Sequence, residues 1–205
     1  MIAVVDYGIG NLRSAEKAIC RAGGAAKLTS DPDEVAGAAG VVLPGVGAFG
    51  RCAQALRSSG LGEPVADAIG RGTPFLGICI GLQLLYEGSE EDPGVAGLGI
   101  LPGVVRALGG EVKVPQMQWN RLEQVPGGSS SLLAGLTGES WVYFVHSYAP
   151  EWSPEVVATV DYGGRVVAAI ERDRMWGTQF HPEKSGPTGL AILGNFVAAC
   201  IEAVA

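Results

Sequence analysis

Apolar and polar positions alternate in blocks along the first part of the chain. Short apolar runs at Ile2–Val5, Ala26–Leu28 and Val41–Leu43 have the length and composition of buried strands. The longer segments Leu12–Arg21 and Phe49–Ser58 are typical of helices. Strands that alternate with helices in this way predict a mainly parallel sheet with helices on both faces.

The pattern changes in the middle of the chain. From about Gly97 to Val160 the sequence is rich in Val, Gly, Trp and Tyr, and alternating runs such as Trp141–Val145 predict short strands, some of them antiparallel. Val166–Ile170 and Met175–Phe180 predict a hairpin, and Gly189 to Val204 predicts a closing helix. A further helix is expected at Glu63–Gly70. No repeat, low-complexity tract or linker interrupts the chain, so we expect a single domain over residues 1–205.

Composition narrows the functional classes. The chain has 205 residues, of which 47% are hydrophobic and 17% charged, as expected for a folded globular protein. A formal net charge of −7 without a basic cluster argues against nucleic-acid binding. No apolar run approaches the length of a membrane span, and the start of the chain lacks the pattern of a signal peptide. We therefore expect a cytoplasmic protein without a membrane role.

The cysteines favour neither a disulfide framework nor a zinc site. Cys20, Cys52, Cys79 and Cys200 are widely and irregularly spaced, and no two form a C-x-x-C pair. In a chain without a secretion signal such spacing is typical of free thiols. Neither a metal nor a cofactor is expected.

The segment Gly77–Gly81 has the pattern of a nucleophile elbow. It follows an apolar run from Thr73 to Ile78 and precedes a run from Leu82 to Glu87 that predicts a helix. Small residues around Cys79 allow a sharp strand-to-helix turn, and the N–H groups at the start of the helix would favour a thiolate and a developing oxyanion. A buried structural cysteine is the alternative, and from this motif alone the two interpretations are about equally supported.

Two further motifs make the catalytic interpretation stronger. His181 and Glu183 lie two residues apart at the end of a strand-like run, where extended geometry would place both side chains on one face. A carboxylate beside an imidazole fixes its tautomer, and the imidazole can take a proton from a thiol. An isolated pair of this kind would more often be a surface pair without function. The glycine-rich loop Pro44–Gly47 follows a strand and could present N–H groups to an oxyanion; phosphate is the competing ligand, but no Walker lysine is present.

Taken in order, the segments PGVGAFG, GICIGLQLL and WGTQFHPEKS resemble the class I, triad-type glutamine amidotransferases. YGIGNLRS, KVPQMQWN and VYFVHSY make the chain similar, more narrowly, to the glutaminase subunits of imidazole glycerol phosphate synthase. The resemblance implies a flavodoxin-like α/β fold of three layers, with a central, mostly parallel sheet and a small additional antiparallel sheet. It also implies hydrolysis of L-glutamine to glutamate and ammonia through a glutamyl thioester.

The same resemblance assigns roles to individual residues. Cys79 matches the nucleophile, His181 the general base, and Glu183 the carboxylate that orients it. The positions that match the oxyanion site are Val46, Gly47 and Ile80. The positions that match the glutamine-binding residues are Gln83, Glu91, Ser147 and Tyr148. Without the resemblance, Gln83 could equally be a helix-surface glutamine and Glu91 a solvated acid.

The implied partner is a (βα)₈-barrel cyclase subunit, bound as a heterodimer. It would accept the ammonia through an internal passage and form imidazole glycerol phosphate and AICAR in histidine biosynthesis. The positions that match the docking face are Asn11, Met117, Trp119, Tyr143 and Lys184. Core packing is an equal alternative for the three large side chains among them. Gln116 and Gln118 depart from the family pattern, which has histidine and glycine there.

Three other functions share some of these features. A glutaminase of another pathway, such as anthranilate or aminodeoxychorismate synthesis, would lack KVPQMQWN and YGIGNLRS. A non-catalytic relative acting as a scaffold would have no chemical need for Cys79, His181 and Glu183 together. A small cysteine peptidase or thiol hydrolase would act on peptides or esters without a partner.

Overall fold

The computed structural model describes residues 1–126, 129–136 and 139–203. The helix predicted at the end of the chain is present, as α6 over Gly186–Glu202. Val204, to which the prediction extended, lies outside the described residues.

Thirteen strands are formed within the described residues. They are β1 (Ile2–Val5), β2 (Ala26–Thr29), β3 (Gly40–Gly45), β4 (Phe75–Cys79), β5 (Gly88–Ser89), β6 (Val104–Ala107), β7 (Gln116–Arg121), β8 (Glu123–Gln124), β9 (Trp141–His146), β10 (Tyr148–Pro150), β11 (Val156–Asp161), β12 (Arg165–Arg172) and β13 (Met175–Thr178). The other helices are α1 (Leu12–Arg21), α2 (Pro32–Ala36), α3 (Phe49–Ser58), α4 (Gly62–Gly70) and α5 (Ile80–Gln83), and a 3₁₀ turn covers Pro182–Lys184.

Eight strands form the central sheet, in the order β2-β1-β3-β4-β13-β12-β11-β8. The pairs from β2 to β13 are parallel, and the pairs from β13 to β8 are antiparallel. The parallel half explains the continuous apolar runs, because β1, β3 and β4 are buried along their whole length. The antiparallel half contains the predicted hairpin of β12 and β13.

The connections place helices on both faces of the sheet. The crossover from β1 to β2 runs in one direction along the sheet, and the crossover from β2 to β3 returns across β1. Because such crossovers are right-handed, the helices that they contain lie on opposite faces. The packing agrees, since α1 contacts α6, whereas α2 contacts α4. The predicted three-layer α/β fold is therefore confirmed.

Two small sheets extend the fold beyond the central one. β10, β6 and β5 form one of them, with β10 antiparallel to β6. β7 and β9 form the other, an antiparallel ribbon. These strands account for the change of pattern after Gly97 and include the expected antiparallel pairs. The ribbon carries the KVPQMQWN and VYFVHSY segments on adjacent strands, with Gln116 opposite His146.

One helix prediction was wrong in its extent. The helix after Cys79 covers only Ile80–Gln83, not Leu82 to Glu87. The N–H groups of Leu85 and Tyr86 bond three residues back, to Leu82 and Gln83, and the chain then leaves to form β5. Since the N–H of Glu87 pairs with the carbonyl of Gly103, strand formation ends the helix early.

Candidate active site

Cys79 occupies the strained turn that the sequence predicts. It is the last residue of β4 and immediately precedes α5, with φ at 54°, a value that residues other than glycine rarely adopt. A methyl-sized atom on Gly81 would lie 1.7 Å from the carbonyl oxygen of Leu43, and one on Gly77 would lie 2.7 Å from the carbonyl oxygen of Gly81. Only glycines therefore allow α5 to fold back this closely against β3 and β4, which confirms the elbow geometry.

His181 and Glu183 form a buried pair. Nδ1 of His181 lies 2.8 Å from Oε1 of Glu183, and the two side chains are only 2% and 5% exposed. Because a carboxylate accepts, this contact places a proton on Nδ1 and leaves Nε2 to exchange protons. Nε2 is buried and has no hydrogen-bond partner among the described residues.

The charge on His181 is set by opposing influences. Burial lowers the pKa of the imidazole, but the neighbouring Cys79 and Glu183 outweigh burial and raise the pKa to about 9. An imidazole with this pKa holds a proton firmly once it has received one. The neighbours of His181 are thus suited to a thiolate–imidazolium pair.

The expected backbone geometry of the pair was wrong in one respect. His181 is extended, with φ −98° and ψ 97°, but Glu183 lies in the 3₁₀ turn Pro182–Lys184. Pro182 occupies the first position of the turn, where its lack of an N–H costs nothing. The hydroxyl of Ser185 donates to the carbonyl oxygen of His181 at 2.7 Å, which closes the turn and brings Glu183 back beside the imidazole.

A cavity of about 250 Å³ opens beside Cys79 and His181. It lies at the carboxyl ends of the parallel strands, the usual position of a ligand site in a sheet of this kind. The residues predicted for the oxyanion site and for glutamine binding all line it: Val46, Gly47, Ile80, Gln83, Glu91, Ser147 and Tyr148. The same cavity is lined by Pro115, Val145 and His146, which the sequence did not single out. Glu183 is not part of its wall.

Gln83 is not a surface residue. Its side chain is 1% exposed, and its Nε2 donates to the carbonyl oxygen of Tyr148 at 2.9 Å and to Oε1 of Gln179 at 3.0 Å. Oε1 of Gln83 is buried and has no partner among the residues described. Gln179, which the sequence also did not single out, is fully buried, and its Nε2 donates to Sγ of Cys79 at 3.6 Å.

Glu91 is half-buried and contacts the start of α3. Its Oε2 accepts from the N–H of Phe49 at 2.8 Å, and Oδ2 of Asp92 accepts from the N–H of Gly50 at 2.7 Å. Both acceptors lie at the N-terminus of α3, where carboxylates are stabilised by unpaired N–H groups. The carboxylate of Glu91 is therefore held in place by a backbone N–H, although its side chain is also partly exposed.

Two side chains donate hydrogen bonds to carbonyl oxygens of the loop Pro44–Gly47. The Tyr7 hydroxyl donates to the carbonyl oxygen of Pro44 at 2.8 Å, and the Cys52 thiol donates to that of Val46 at 3.3 Å. A trans peptide directs its C=O and its N–H to opposite sides, so the N–H of Gly47 points away from Cys52. Gly47 has φ at 93°, which only glycine adopts without strain.

His146 occupies the wall between the cavity and the β7–β9 ribbon. Its ring nitrogens lie 2.8 Å from the carbonyl oxygen of Tyr148 and 2.8 Å from the side-chain amide of Gln116. Burial lowers the pKa of this imidazole to about 4, so it is neutral at pH 7. Gln116 is fully buried, whereas Gln118 is exposed and donates to Asn120.

Three of the predicted docking residues, Met117, Trp119 and Tyr143, lie on the ribbon. Met117 and Trp119 are 60% and 47% exposed, so core packing was the wrong interpretation for both. The ring of Trp119 meets that of half-buried Tyr143 at a centroid distance of 6.0 Å. Asn11 and Lys184 are exposed. Tyr143 joins this surface to the buried pair, because its carbonyl oxygen accepts from the N–H of His181 at 3.0 Å.

In the part of the chain that the structure covers, no helix has both the length and the apolar character needed to cross a membrane.

The family pattern of glutamine amidotransferase class-I matches residues 3–200. The chain therefore belongs to the class I glutamine amidotransferase family. Two solved structures share its fold. One is described as the crystal structure of a glutamine amidotransferase, with a TM-score of 0.75, 20% identity, and coverage of 97% of this chain and 98% of the other. The second is of a Thermoplasma acidophilum protein described as a putative GMP synthase subunit, with a TM-score of 0.73, 23% identity, and coverage of 98% and 94%.

Within that family the chain is similar over nearly its whole length to proteins named imidazole glycerol phosphate synthase subunit HisH. The protein of this name from Synechococcus sp. (strain JA-3-3Ab) is 50% identical over 204 residues, which cover 96% of this chain and 92% of the relative. That from Methanothermobacter thermautotrophicus is 51% identical over 198 residues, covering 96% and 98%. That from Syntrophotalea carbinolica is 50% identical over 206 residues, also covering 96% and 98%. These relatives agree with the narrower resemblance drawn from YGIGNLRS and KVPQMQWN.

Proposed function

We propose that this protein hydrolyses L-glutamine to glutamate and ammonia, with Cys79 as nucleophile, His181 as general base and acid, and Glu183 as the residue that orients the imidazole. The observation that carries the proposal is the buried contact of 2.8 Å between Nδ1 of His181 and Glu183, beside a cavity that also exposes Cys79. Membership of the glutamine amidotransferase family supports the substrate.

The chemistry begins with a proton transfer. The Cys79 thiol gives its proton to Nε2 of His181, and the sulfur attacks the carbon of the glutamine side-chain amide. As the tetrahedral intermediate collapses, His181 returns the proton to the leaving nitrogen, and ammonia and a glutamyl thioester are formed. His181 then takes a proton from water, whose oxygen attacks the thioester carbon, and the thiol is restored as glutamate leaves.

The negative charge of each tetrahedral intermediate needs a donor site. The N–H of Ile80 follows the nucleophile at the start of α5, and the Val46–Gly47 segment lies on another wall of the same cavity. We propose these backbone groups as the oxyanion site. Loss of one such donor typically lowers the rate by about 10²–10³-fold.

The rest of the cavity is suited to the polar groups of glutamine. Gln83 lines the cavity, and the carbonyl oxygen of its side chain has no partner among the described residues, so we propose that this oxygen accepts an N–H from the substrate. Glu91 contributes a carboxylate, suited to the ammonium group of an amino acid. We propose that Ser147 and Tyr148, which also line the cavity, complete the binding site, in part through their backbone groups.

The similarity to the HisH proteins supports a destination for the ammonia. We propose that the chain binds the (βα)₈-barrel cyclase subunit of imidazole glycerol phosphate synthase as a heterodimer, and acts in histidine biosynthesis in the cytoplasm. The exposed Met117 and Trp119 on the β7–β9 ribbon offer an apolar contact surface beside the cavity. Asn11, Tyr143 and Lys184 would complete the docking face.

The test is release of glutamate and ammonia from glutamine, measured with and without the purified cyclase partner and its nucleotide substrate. Strong stimulation by the partner that disappears in Cys79→Ala supports both the hydrolysis and the partnership. Full activity without the partner would retain the hydrolysis and reject the partnership. Absence of activity under every condition, in a protein shown to be folded, would reject the catalytic proposal.

A further inference from the structure

A continuous line of hydrogen bonds runs from the carbonyl oxygen of Tyr148 through the buried side chains of Gln83 and Gln179 to the predicted nucleophile. Nε2 of Gln83 donates both to the carbonyl oxygen of Tyr148, at 2.9 Å, and to Oε1 of Gln179, at 3.0 Å. Nε2 of Gln179 donates to Sγ of Cys79 at 3.6 Å, within the longer range of hydrogen bonds to sulfur. Both glutamine side chains are buried, so water does not compete for these contacts.

The orientation of each amide follows from its neighbour. The carbonyl oxygen of Tyr148 can only accept, so the NH₂ group of Gln83 must face it. The second hydrogen of that NH₂ group then requires an acceptor, which fixes the carbonyl oxygen of Gln179 on the side of Gln83. The NH₂ group of Gln179 is left on the opposite side, toward the sulfur. The backbone carbonyl of Tyr148 thus determines, through Gln83, that Gln179 presents its NH₂ group to the sulfur of Cys79.

We propose that Gln179 is a further catalytic residue, whose amide N–H stabilises the thiolate of Cys79 and holds the sulfur in position for attack. The proposal rests on the assignment of Cys79 as the nucleophile. A donor to sulfur is bonded more strongly when the sulfur carries a charge, so the contact strengthens when the proton moves to His181. It weakens again as the sulfur forms its bond to carbon, and the amide is then ready for the next thiolate.

Other groups around the sulfur also influence its charge. His181, Glu91, His146 and Tyr148 line the same cavity, and Tyr7 and Cys52 approach from beneath the loop. Among these, His181 provides positive charge to a thiolate and Glu91 provides negative charge. Gln179 differs from all of them because it is neutral at every pH, so its contribution is separable from theirs by substitution.

Gln83 acquires a second role from this arrangement. Besides its proposed contact with the substrate, it fixes the direction of the Gln179 amide. Gln83 does not contact the sulfur, and within this proposal it is a positioning residue. Its substitution is expected to change the reactivity of Cys79 in the same direction as substitution of Gln179.

The test is the pH dependence of Cys79 alkylation by iodoacetamide, followed by mass spectrometry in a Cys20→Ser background that removes the exposed thiol. In Gln179→Met, which retains length and loses both donors, we expect the pH midpoint of alkylation to rise by about one unit, the effect of one hydrogen bond to a charged group. In Gln179→Glu, where an acceptor faces the sulfur, the rise should be larger. An unchanged midpoint in a folded Gln179→Met protein overturns the proposal.

Gln83→Met and the double variant provide the second measurement. Because the two glutamines act through one contact, their effects on the midpoint should be clearly less than additive. Additive effects would assign them independent roles and reject the relay. Gln54→Met, at an exposed position of α3, is the matched control and should leave the midpoint unchanged. If Gln179→Met does not fold, Gln179→Glu and Gln83→Met give the same readout.

Alkylation also separates this proposal from the proposed function. It needs no glutamine and no partner, so a protein that releases no ammonia can still show the midpoint shift. In that case the proposed role of Gln179 as a donor to Cys79 stands, and the proposed glutaminase activity is rejected. Ammonia release by the parent protein, with equal alkylation midpoints in parent and Gln179→Met, would retain the glutaminase and reject the role of Gln179.

Discussion

The thiol of Cys52 donates to the carbonyl oxygen of Val46 at a sulfur–oxygen distance of 3.3 Å. Burial raises the pKa of this thiol, so it remains protonated and able to donate near neutral pH. The contact fixes one face of the Val46–Gly47 peptide, whose N–H we propose as part of the oxyanion site. Cys52 is thus the link between α3 and the orientation of the loop.

Loss of the Cys52 donor should therefore lower turnover more than it weakens substrate binding. We expect Cys52→Ala to reduce kcat of the partner-stimulated glutaminase by about three- to tenfold, the effect of one neutral hydrogen bond, with little change in KM. Cys52→Ser retains a donor and should recover most of the rate. Equal kcat values for the parent and Cys52→Ala would show that the thiol does not position the loop.

Glu183→Gln tests the orientation of the imidazole. The amide can present a donor to Nδ1 and so favour the wrong tautomer of His181. We expect kcat to fall by about 10²–10⁴-fold while the protein stays folded, as seen by circular dichroism. A kcat within about threefold of the parent value would contradict a role for this carboxylate.

Replacement of a glycine by alanine should destabilise the protein at the elbow, but not in a helix where the added methyl group has free space. Gly81→Ala would force a methyl group to 1.7 Å from the carbonyl oxygen of Leu43, and we expect a loss of at least about 3 kcal/mol in the free energy of unfolding. Gly194 lies in α6 with no described atom near its missing side chain. Gly194→Ala should stabilise the protein by about 0.5–1 kcal/mol. Urea unfolding of both variants is the measurement, and equal stabilities would contradict the tight packing at Gly81.

His181 makes stability depend on pH on the alkaline side. Its pKa rises from an ordinary value of 6.5 in the unfolded chain to about 9 in the fold. A raised pKa means that the folded state binds the proton more tightly, so this contribution to stability is complete below pH 6.5 and is lost as the pH rises through about 9. The free energy of unfolding of the parent should therefore fall across this range.

His181→Gln is the control for that slope, because it removes the titrating group. The parent should lose stability relative to this variant between pH 6.5 and about 9, and parallel curves would contradict the prediction. The contribution of His146 to stability depends on pH in the opposite direction. Burial lowers its pKa to about 4, so its contribution is lost as the pH falls from 6.5 toward 4.

Trp119 should contribute strongly to partner binding. It is exposed, rigid and aromatic, and lies beside Met117 on the β7–β9 ribbon. We expect Trp119→Ala to weaken binding of the cyclase partner by about tenfold or more, measured by titration calorimetry. Trp152→Ala is the matched control, because Trp152 is 55% exposed and lies outside the predicted docking face. Equal weakening by both variants would reject the assignment of this face.

Local pattern was enough to predict most of the fold. The bounds of α1 and α3 agree with the structure residue for residue, because each has a regular pattern of buried positions and ends near a glycine. α2 was not predicted, since its five residues, Pro32–Ala36, are too few to show a helical period. α5 was predicted too long, because the backbone pairing of Glu87 with Gly103 is a long-range contact that no local pattern reveals. The single-domain organisation stays a prediction.

In the site, too, some residues could be predicted from the sequence and others depend on contacts between distant segments. Resemblance selected residues that the structure brings to one cavity, including Gln83 and Glu91, for which local pattern alone did not decide between alternatives. Gln179 and Cys52 were not selected, although both make sulfur hydrogen bonds at or near the predicted site. Gln179 lies directly after β13 and two residues before His181 in a recognised motif, and an amide side chain so close to the predicted general base was the available signal.

The turn at Cys79 has a consequence for how this position tolerates change. A φ of 54° carries a conformational penalty of about 1–2 kcal/mol for any residue with a side chain, and glycine alone avoids it. Cys79→Gly should therefore raise the free energy of unfolding while it removes the nucleophile. Folding stability and catalytic activity thus favour different residues at position 79. In relatives that no longer need the activity, we expect glycine to replace cysteine there.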